Sequence, residues 1–230
     1  MKKTIFLFLL TLAVTVAMPA WAQIKPTVAI FGDSYSTFEG FIPKENAVWY
    51  TVAPQKRTDV TNVEQTWWWQ VIKEGGYKLG VNDAWSGSTI CNTGYNDNDY
   101  TNESFVTRSA MLGRLGNPDI ILICGGTNDN WANVQMGTYQ YKDWKRGDLY
   151  YFRPAMAKMF DNLLKHYPNV QLYFILNSEL KDTVNKSVET ICKHYDVKLI
   201  KLHDIDKRDG HPTVKGMKSF AEQVLAALKH

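Results

Sequence analysis

Short apolar runs rich in β-branched residues alternate along this chain with longer segments whose apolar positions recur at helical spacing. The runs fall at residues 27–31, 119–124, 170–176 and 197–202, with a weaker one at 78–83. The clearest, Ile120-Ile121-Leu122-Ile123, has no polar alternation and reads as a strand buried on both faces. Helices are predicted over 65–74, 107–115, 154–166, 183–195 and 213–228. In the third, Met156, Met159, Phe160, Leu163 and Leu164 form one stripe, and in the fourth Val184, Val188, Ile191 and Cys192 do the same. Strands alternating with helices imply a parallel sheet covered on both faces, a single α/β/α domain.

Three stretches break the pattern, at about 35–64, 91–105 and 130–151, and loops this long inside a compact domain are usually functional. Each follows a strand end, so each is expected over the same rim of the sheet. They are dense in aromatics, among them Phe41, Trp49, Tyr50, Trp131, Tyr139, Tyr141 and Trp144. Trp67-Trp68-Trp69 reads instead as helix packing, since consecutive helical residues point in different directions. Asn96-Asp97-Asn98-Asp99 presents possible calcium ligands at alternate positions, but lacks the glycine and the later bidentate glutamate of a calcium loop. A solvated polar loop is its default reading.

Composition changes the picture at the N-terminus. Met1-Lys2-Lys3 is a basic start, residues 5–18 are mostly apolar, and Ala20-Trp21-Ala22 is a small-x-small cleavage signal. This is the layout of a secretory signal peptide over residues 1–22, cleaved after Ala22. It ends at Pro19, short of the roughly 20 apolar residues of a membrane anchor. The expected protein is therefore secreted or periplasmic, a single domain over 23–230 without stable membrane insertion. Loss of Lys2 and Lys3 takes the formal net charge from +3 to about +1. No basic run remains to bind nucleic acid. Cys91, Cys124 and Cys192 are an odd number for an exported chain. Cys124 and Cys192 read as buried thiols, a single disulfide stays open, and no C-x-x-C pair suggests zinc or redox chemistry. No metal or cofactor is expected.

The chemistry gathers at strand ends. Residues 27–31 stop at Gly32-Asp33-Ser34. Gly87 follows the second strand, Asn128 the third, and His211 the last. Parallel strands point one way, so these groups share one rim, where open α/β sheets bind their ligands. Acyl transfer needs a serine to attack, a histidine to take and return its proton, and N–H donors for the oxyanion.

Gly32-Asp33-Ser34, Gly87, Gly126-Thr127-Asn128-Asp129 and Asp209-Gly210-His211-Pro212 resemble the four blocks of the SGNH, or GDSL-type, hydrolases. The resemblance spans nearly the whole chain after the leader. It implies a flavodoxin-like three-layer sandwich with about five parallel strands and ester hydrolysis through an acyl-enzyme. It also implies Ser34 as nucleophile, His211 as base, and the Ser34 N–H, Gly87 N–H and Asn128 amide as oxyanion donors. The family's last block is Asp-x-x-His, whereas Asp209 and His211 have one residue between them and Arg208 takes the usual acid position. Asp209 remains the expected orienting acid, because side chains two apart in an extended segment point the same way. Asp206 or a backbone carbonyl are the alternatives.

Among the other histidines, His166 and His194 read as helix caps, His230 is terminal, and His203, beside Asp204, is the serious competitor. An α/β-hydrolase elbow would need glycine where Ser36 stands. Trp131, next to the Asn128 block, is the aromatic expected to touch substrate. The polar, aromatic-rich rim favours an acyl ester, most plausibly acetyl, on a carbohydrate. A lipase or lysophospholipase-type acylhydrolase and a silent glycan-binding module are the rival readings.

Overall fold

The computed structural model describes residues 25–229; the leader read in residues 1–22, and His230, lie outside the described residues. Five parallel strands form the central sheet: β1 (Thr27–Gly32), β2 (Lys78–Asn82), β3 (Ile120–Cys124), β4 (Gln171–Leu176) and β5 (Lys198–Lys201), in the order β2-β1-β3-β4-β5. This is the three-layer flavodoxin-like sandwich expected from the sequence.

The pleat sorts the strand residues into two cores. Ala29, Phe31, Ile121, Ile123, Leu172 and Phe174 face one side, where they meet α2 (Phe105–Ser109), α4 (Phe152–His166) and α5 (Asp182–His194). Val28, Ile30, Ile120, Leu122, Tyr173 and Ile175 face the other, against α1 (Trp67–Glu74) and α6 (Val214–Leu228). Consecutive residues thus serve opposite cores, which is why the strands read as unbroken apolar runs. Trp67 and Trp68 are fully buried, and Trp67 stacks flat on Phe220 of α6 at 4.5 Å. The tryptophan triplet is helix packing.

Two elements escaped the sequence reading. The stretch after β3 forms a short helix, α3 (Thr127–Trp131), entered through Gly126 at φ +90°. Ahead of α6, β6 (Lys207–Arg208) and β7 (His211–Pro212) make a small antiparallel hairpin, so Pro212 precedes the helix cap Thr213 and is not in the first helical turn.

The long loops divide. The first lays Trp49 and Tyr50 beside His211, and the second brings Tyr95 to Asn128 at the rim. The third leaves Trp131 at the rim and then runs down the flank. Its Tyr141 stacks on His194 of α5, and Arg153 and Lys158 of α4 cover Tyr139 and Trp144. In the polar tetrad, Asn96 and Asp97 turn at positive φ, while the Asp99 carboxylate accepts from Thr101 and the Tyr150 hydroxyl. Cys91, Cys124 and Cys192 are free, buried thiols. Among the described residues no helix is long and apolar enough to cross a membrane.

Candidate active site

At the end of β1 the chain turns into a single 3-10 turn, Ser34–Ser36. The Asp33 carboxylate caps it by accepting the Tyr35 N–H at 3.0 Å, and the Asp33 N–H donates to Cys124 O of β3 at 3.2 Å. Gly32 is required here by close approach, not by an unusual φ. A Cβ on it would lie 2.5 Å from the Ser36 side chain, which folds back over the strand end. The turn therefore lifts Ser34 off the sheet at a fixed place.

His211 arrives from the opposite end of the chain. Its Nε2 lies 2.9 Å from Ser34 Oγ, and its Nδ1 lies 2.9 Å from the backbone carbonyl of Asp209. A carbonyl only accepts, so Nδ1 carries the proton, Nε2 is the free lone pair, and the serine hydroxyl donates to it. That is the protonation a general base needs. Burial pushes the imidazole down from its ordinary 6.5 to about 4, with the Arg57 guanidinium acting in the same direction.

The carboxylate of Asp209 does not reach His211. Asp209 and Gly210 are the two turn residues of the β6–β7 hairpin, at φ +49° and +73°, and this geometry sends the Asp209 side chain outward to Arg57 Nε at 3.0 Å. The expected orienting acid is thus replaced by its own backbone carbonyl, because the segment is a tight turn and not extended. An Asp-Gly pair is a strong hairpin signal that could have announced this. The carboxylate of Asp206 is engaged with the hydroxyl of Thr213, the N-cap of α6. His203 is exposed and contacts Asp204, away from Ser34.

The other predicted residues surround Ser34. Gly87 turns at φ +85° with open space in front of its Cα. Among the described residues, neither the Ser34 nor the Gly87 N–H has a protein acceptor. The Asn128 Nδ2 donates one hydrogen to Ser88 O at 3.0 Å, and its amide oxygen accepts the Tyr95 hydroxyl at 2.7 Å. An amide nitrogen has two hydrogens, so one is left for a substrate oxygen.

Tyr95 and Asn177 were not foreseen. Asn177, after β4, donates to the Tyr35 hydroxyl at 3.1 Å and to Thr127 Oγ1 at 3.2 Å, and Tyr35 in turn donates to Gly210 O at 2.5 Å. This chain of bonds ties the Ser34 turn, α3 and the His211 hairpin together. No local motif marks it, since every link joins a different loop.

Two buried carboxyls lie behind the rim. Desolvation raises Asp33 to about 7 and Asp129 to about 6, although Asp129 accepts the Ile90 and Cys91 N–H groups. Deeper still, Arg108 is fully buried and donates to the Asp83 carboxylate, to Gly32 O and to Ser88 Oγ, bracing the Gly87 loop against the end of β1. Trp131 is 42% exposed, with its ring 5.7 Å from that of His211. It forms part of the open wall of the site.

Residues 26–228 match the family model described as GDSL-like lipase/acylhydrolase. No curated protein sequence matches significantly. A crystal structure from Bacteroides ovatus, described as a candidate GDSL-like lipase, is 52% identical over 90% of this chain and 99% of its own, with a TM-score of 0.87. A second of the same description, from Bacteroides uniformis, is 48% identical over 90% and 97%, with a TM-score of 0.86. A family two carbohydrate esterase from Clostridium thermocellum, solved with cellohexaose, shares the fold at 14% identity and a TM-score of 0.60, over 90% of this chain and 64% of that one.

Proposed function

This chain belongs to the GDSL-like lipase/acylhydrolase family, and from that premise we propose that it removes short acyl groups, acetyl foremost, from a carbohydrate. The observation that carries the reading is the 2.9 Å contact from Ser34 Oγ to His211 Nε2, with the tautomer set by Asp209 O. Ser34 Oγ attacks the ester carbonyl while its proton passes to Nε2. The carbonyl oxygen becomes an oxyanion held by the Ser34 and Gly87 N–H groups and the second Asn128 amide hydrogen. Collapse breaks the ester C–O bond, and the proton on Nε2 goes to the departing sugar hydroxyl. Water, deprotonated by His211, then attacks the acyl-serine and regenerates the enzyme.

Carbohydrate is favoured by Trp131. An exposed indole beside the base offers a face on which a sugar ring stacks, in a rim that combines aromatics with polar groups. The leader read at residues 1–22 fits this role, placing the enzyme outside the cytoplasm with glycan esters. The test is turnover of p-nitrophenyl acetate and of acetylated oligosaccharides, against p-nitrophenyl laurate and a lysophospholipid. Ser34→Ala should lose at least about a thousandfold in rate. Undiminished turnover in that variant overturns the mechanism, and a preference for the long acyl chains overturns the substrate class.

A further inference from the structure

We propose that Trp49 is the positioning residue of His211, taking over the work that an orienting carboxylate would do. This rests on the reading of His211 as the base. The indole of Trp49 lies flat on the imidazole, with ring centroids 3.5 Å apart and 11° between the planes. The Arg57 guanidinium sits 3.7 Å from the Trp49 ring. Two groups cannot share one face at such distances, so Arg57 covers the far side and the three planes form a stack. Asp209 holds Arg57 at its outer edge. That ion pair is exposed and contributes little by itself; its role is to keep the guanidinium in place.

A stack answers a specific deficiency. The Nδ1 partner is a neutral carbonyl, and a single hydrogen bond fixes one point of the ring while leaving its plane free to rock. A flat indole fixes the plane. It also covers that face of the imidazole from water, part of the burial that disfavours the charged ring. Trp49 is well placed to impose this geometry because it is anchored to both halves of the pair. Its backbone N–H donates to Thr37 Oγ1 at 2.9 Å, and that hydroxyl donates to Ser34 O at 3.1 Å. The next residue, Tyr50, donates from its phenol to Pro212 O, beside His211, at 3.0 Å. The groups around the imidazole are Ser34 and Tyr35 from the β1 turn, Trp49 and Tyr50 from the first loop with Arg57 behind Trp49, Trp131 from α3, and Asp209 from its own hairpin. Of these only Arg57 and Asp209 carry charge.

The experiment follows the His211 ring by NMR through a pH titration and, on the same samples, steady-state hydrolysis of p-nitrophenyl acetate. The variants are Trp49→Leu, Trp49→Phe and Arg57→Gln. Trp49→Leu should raise the His211 pKa toward its ordinary value and cut kcat about tenfold or more, with KM within about twofold. Trp49→Phe should restore part of both, and Arg57→Gln should raise the pKa with a smaller loss of kcat. Unchanged titration in all three variants overturns the proposal, as does a rise in KM alone, which would make Trp49 a substrate platform. Should Trp49→Leu fail to fold, Trp49→Phe and Arg57→Gln decide on the same criteria. The titration needs no ester, so an inactive protein whose His211 still responds would refute the esterase reading and leave the stack standing.

Discussion

Asp209 gives His211 its backbone carbonyl at 2.9 Å and keeps its carboxylate for Arg57, 3.0 Å away on the outside of the hairpin. Removing charge from that carboxylate leaves the hydrogen bond to Nδ1 intact. Asp209→Asn is expected to lower kcat/KM by less than about tenfold, roughly 1.4 kcal/mol of barrier. Loss of a true triad acid costs on the order of ten-thousandfold. Steady-state kinetics on an activated acetyl ester separates the two, and a loss near the larger figure would return the acid role to this side chain.

Tyr95 holds the Asn128 amide by its oxygen, leaving the nitrogen side for the substrate. Tyr95→Phe frees that amide to turn. The expected result is a fall in kcat of about tenfold with KM nearly constant, since the oxyanion exists only in the transition state. Asn128→Ala should cost about a hundredfold or more. Equal KM and kcat effects in Tyr95→Phe would mean that the phenol binds substrate instead.

The low pKa of His211, about 4, keeps its lone pair available well into acid. The acid limb of kcat/KM reports the free enzyme's base, so it should fall near about pH 4 and not near about 6.5. A profile already halved at about pH 6.5 would contradict the burial described for the ring. The same shift makes folding less favourable as pH drops from 6.5 toward 4, because the unfolded chain then binds a proton that the folded one refuses.

Asp33 works in the opposite direction. Its folded pKa of about 7 lies above the ordinary 3.8, so between these values the folded chain keeps a proton the unfolded chain has released. Its stabilising contribution is present below 3.8 and is lost as pH rises through about 7. Asp33→Asn does not titrate there. The melting temperature of the variant minus that of the parent should therefore grow more positive between about pH 5 and about pH 8. A constant difference across that range would refute the raised pKa.

Gly216 offers a test of the hairpin's seat. Alanine for glycine inside a helix usually stabilises by about 1 kcal/mol. A Cβ at Gly216, however, would run into the backbone carbonyl of Asp206, which also accepts the Thr213 N–H. Gly216→Ala should lower the melting temperature, with the sign reversed from the usual. A rise would show that the α6 N-terminus yields easily.

What the chain declared in advance follows from local physics. Apolar runs gave four of the five strands and the weaker run at 78–83 gave the fifth, and the abrupt stops at Gly32-Asp33-Ser34 and Cys124-Gly125-Gly126 placed Ser34 and Asn128 on one rim. His211 was legible through the proline and helix that follow it. Contacts between loops were not. Trp49 reaches His211 from within a stretch that has no periodicity, and Tyr95 reaches Asn128 from a turn at positive φ. Such pairings depend on how three loops pack against one another, and no spacing rule encodes that. The third stretch shows the reverse error: aromatic content suggested the rim, where Trp131 stays, yet its later rings Tyr141 and Trp144 found the sides of α4 and α5.

Ser34 and His211 stand 177 residues apart in sequence and meet only where the β6–β7 hairpin docks between the Trp49 loop and α6. During synthesis Ser34, Gly87 and Asn128 emerge long before His211. A nascent chain carrying everything up to β5 lacks the imidazole that lies 2.9 Å from Ser34 Oγ in the finished fold. On the function proposed above, the Ser34 hydroxyl therefore gains its proton acceptor only once the hairpin and α6 have been made and seated.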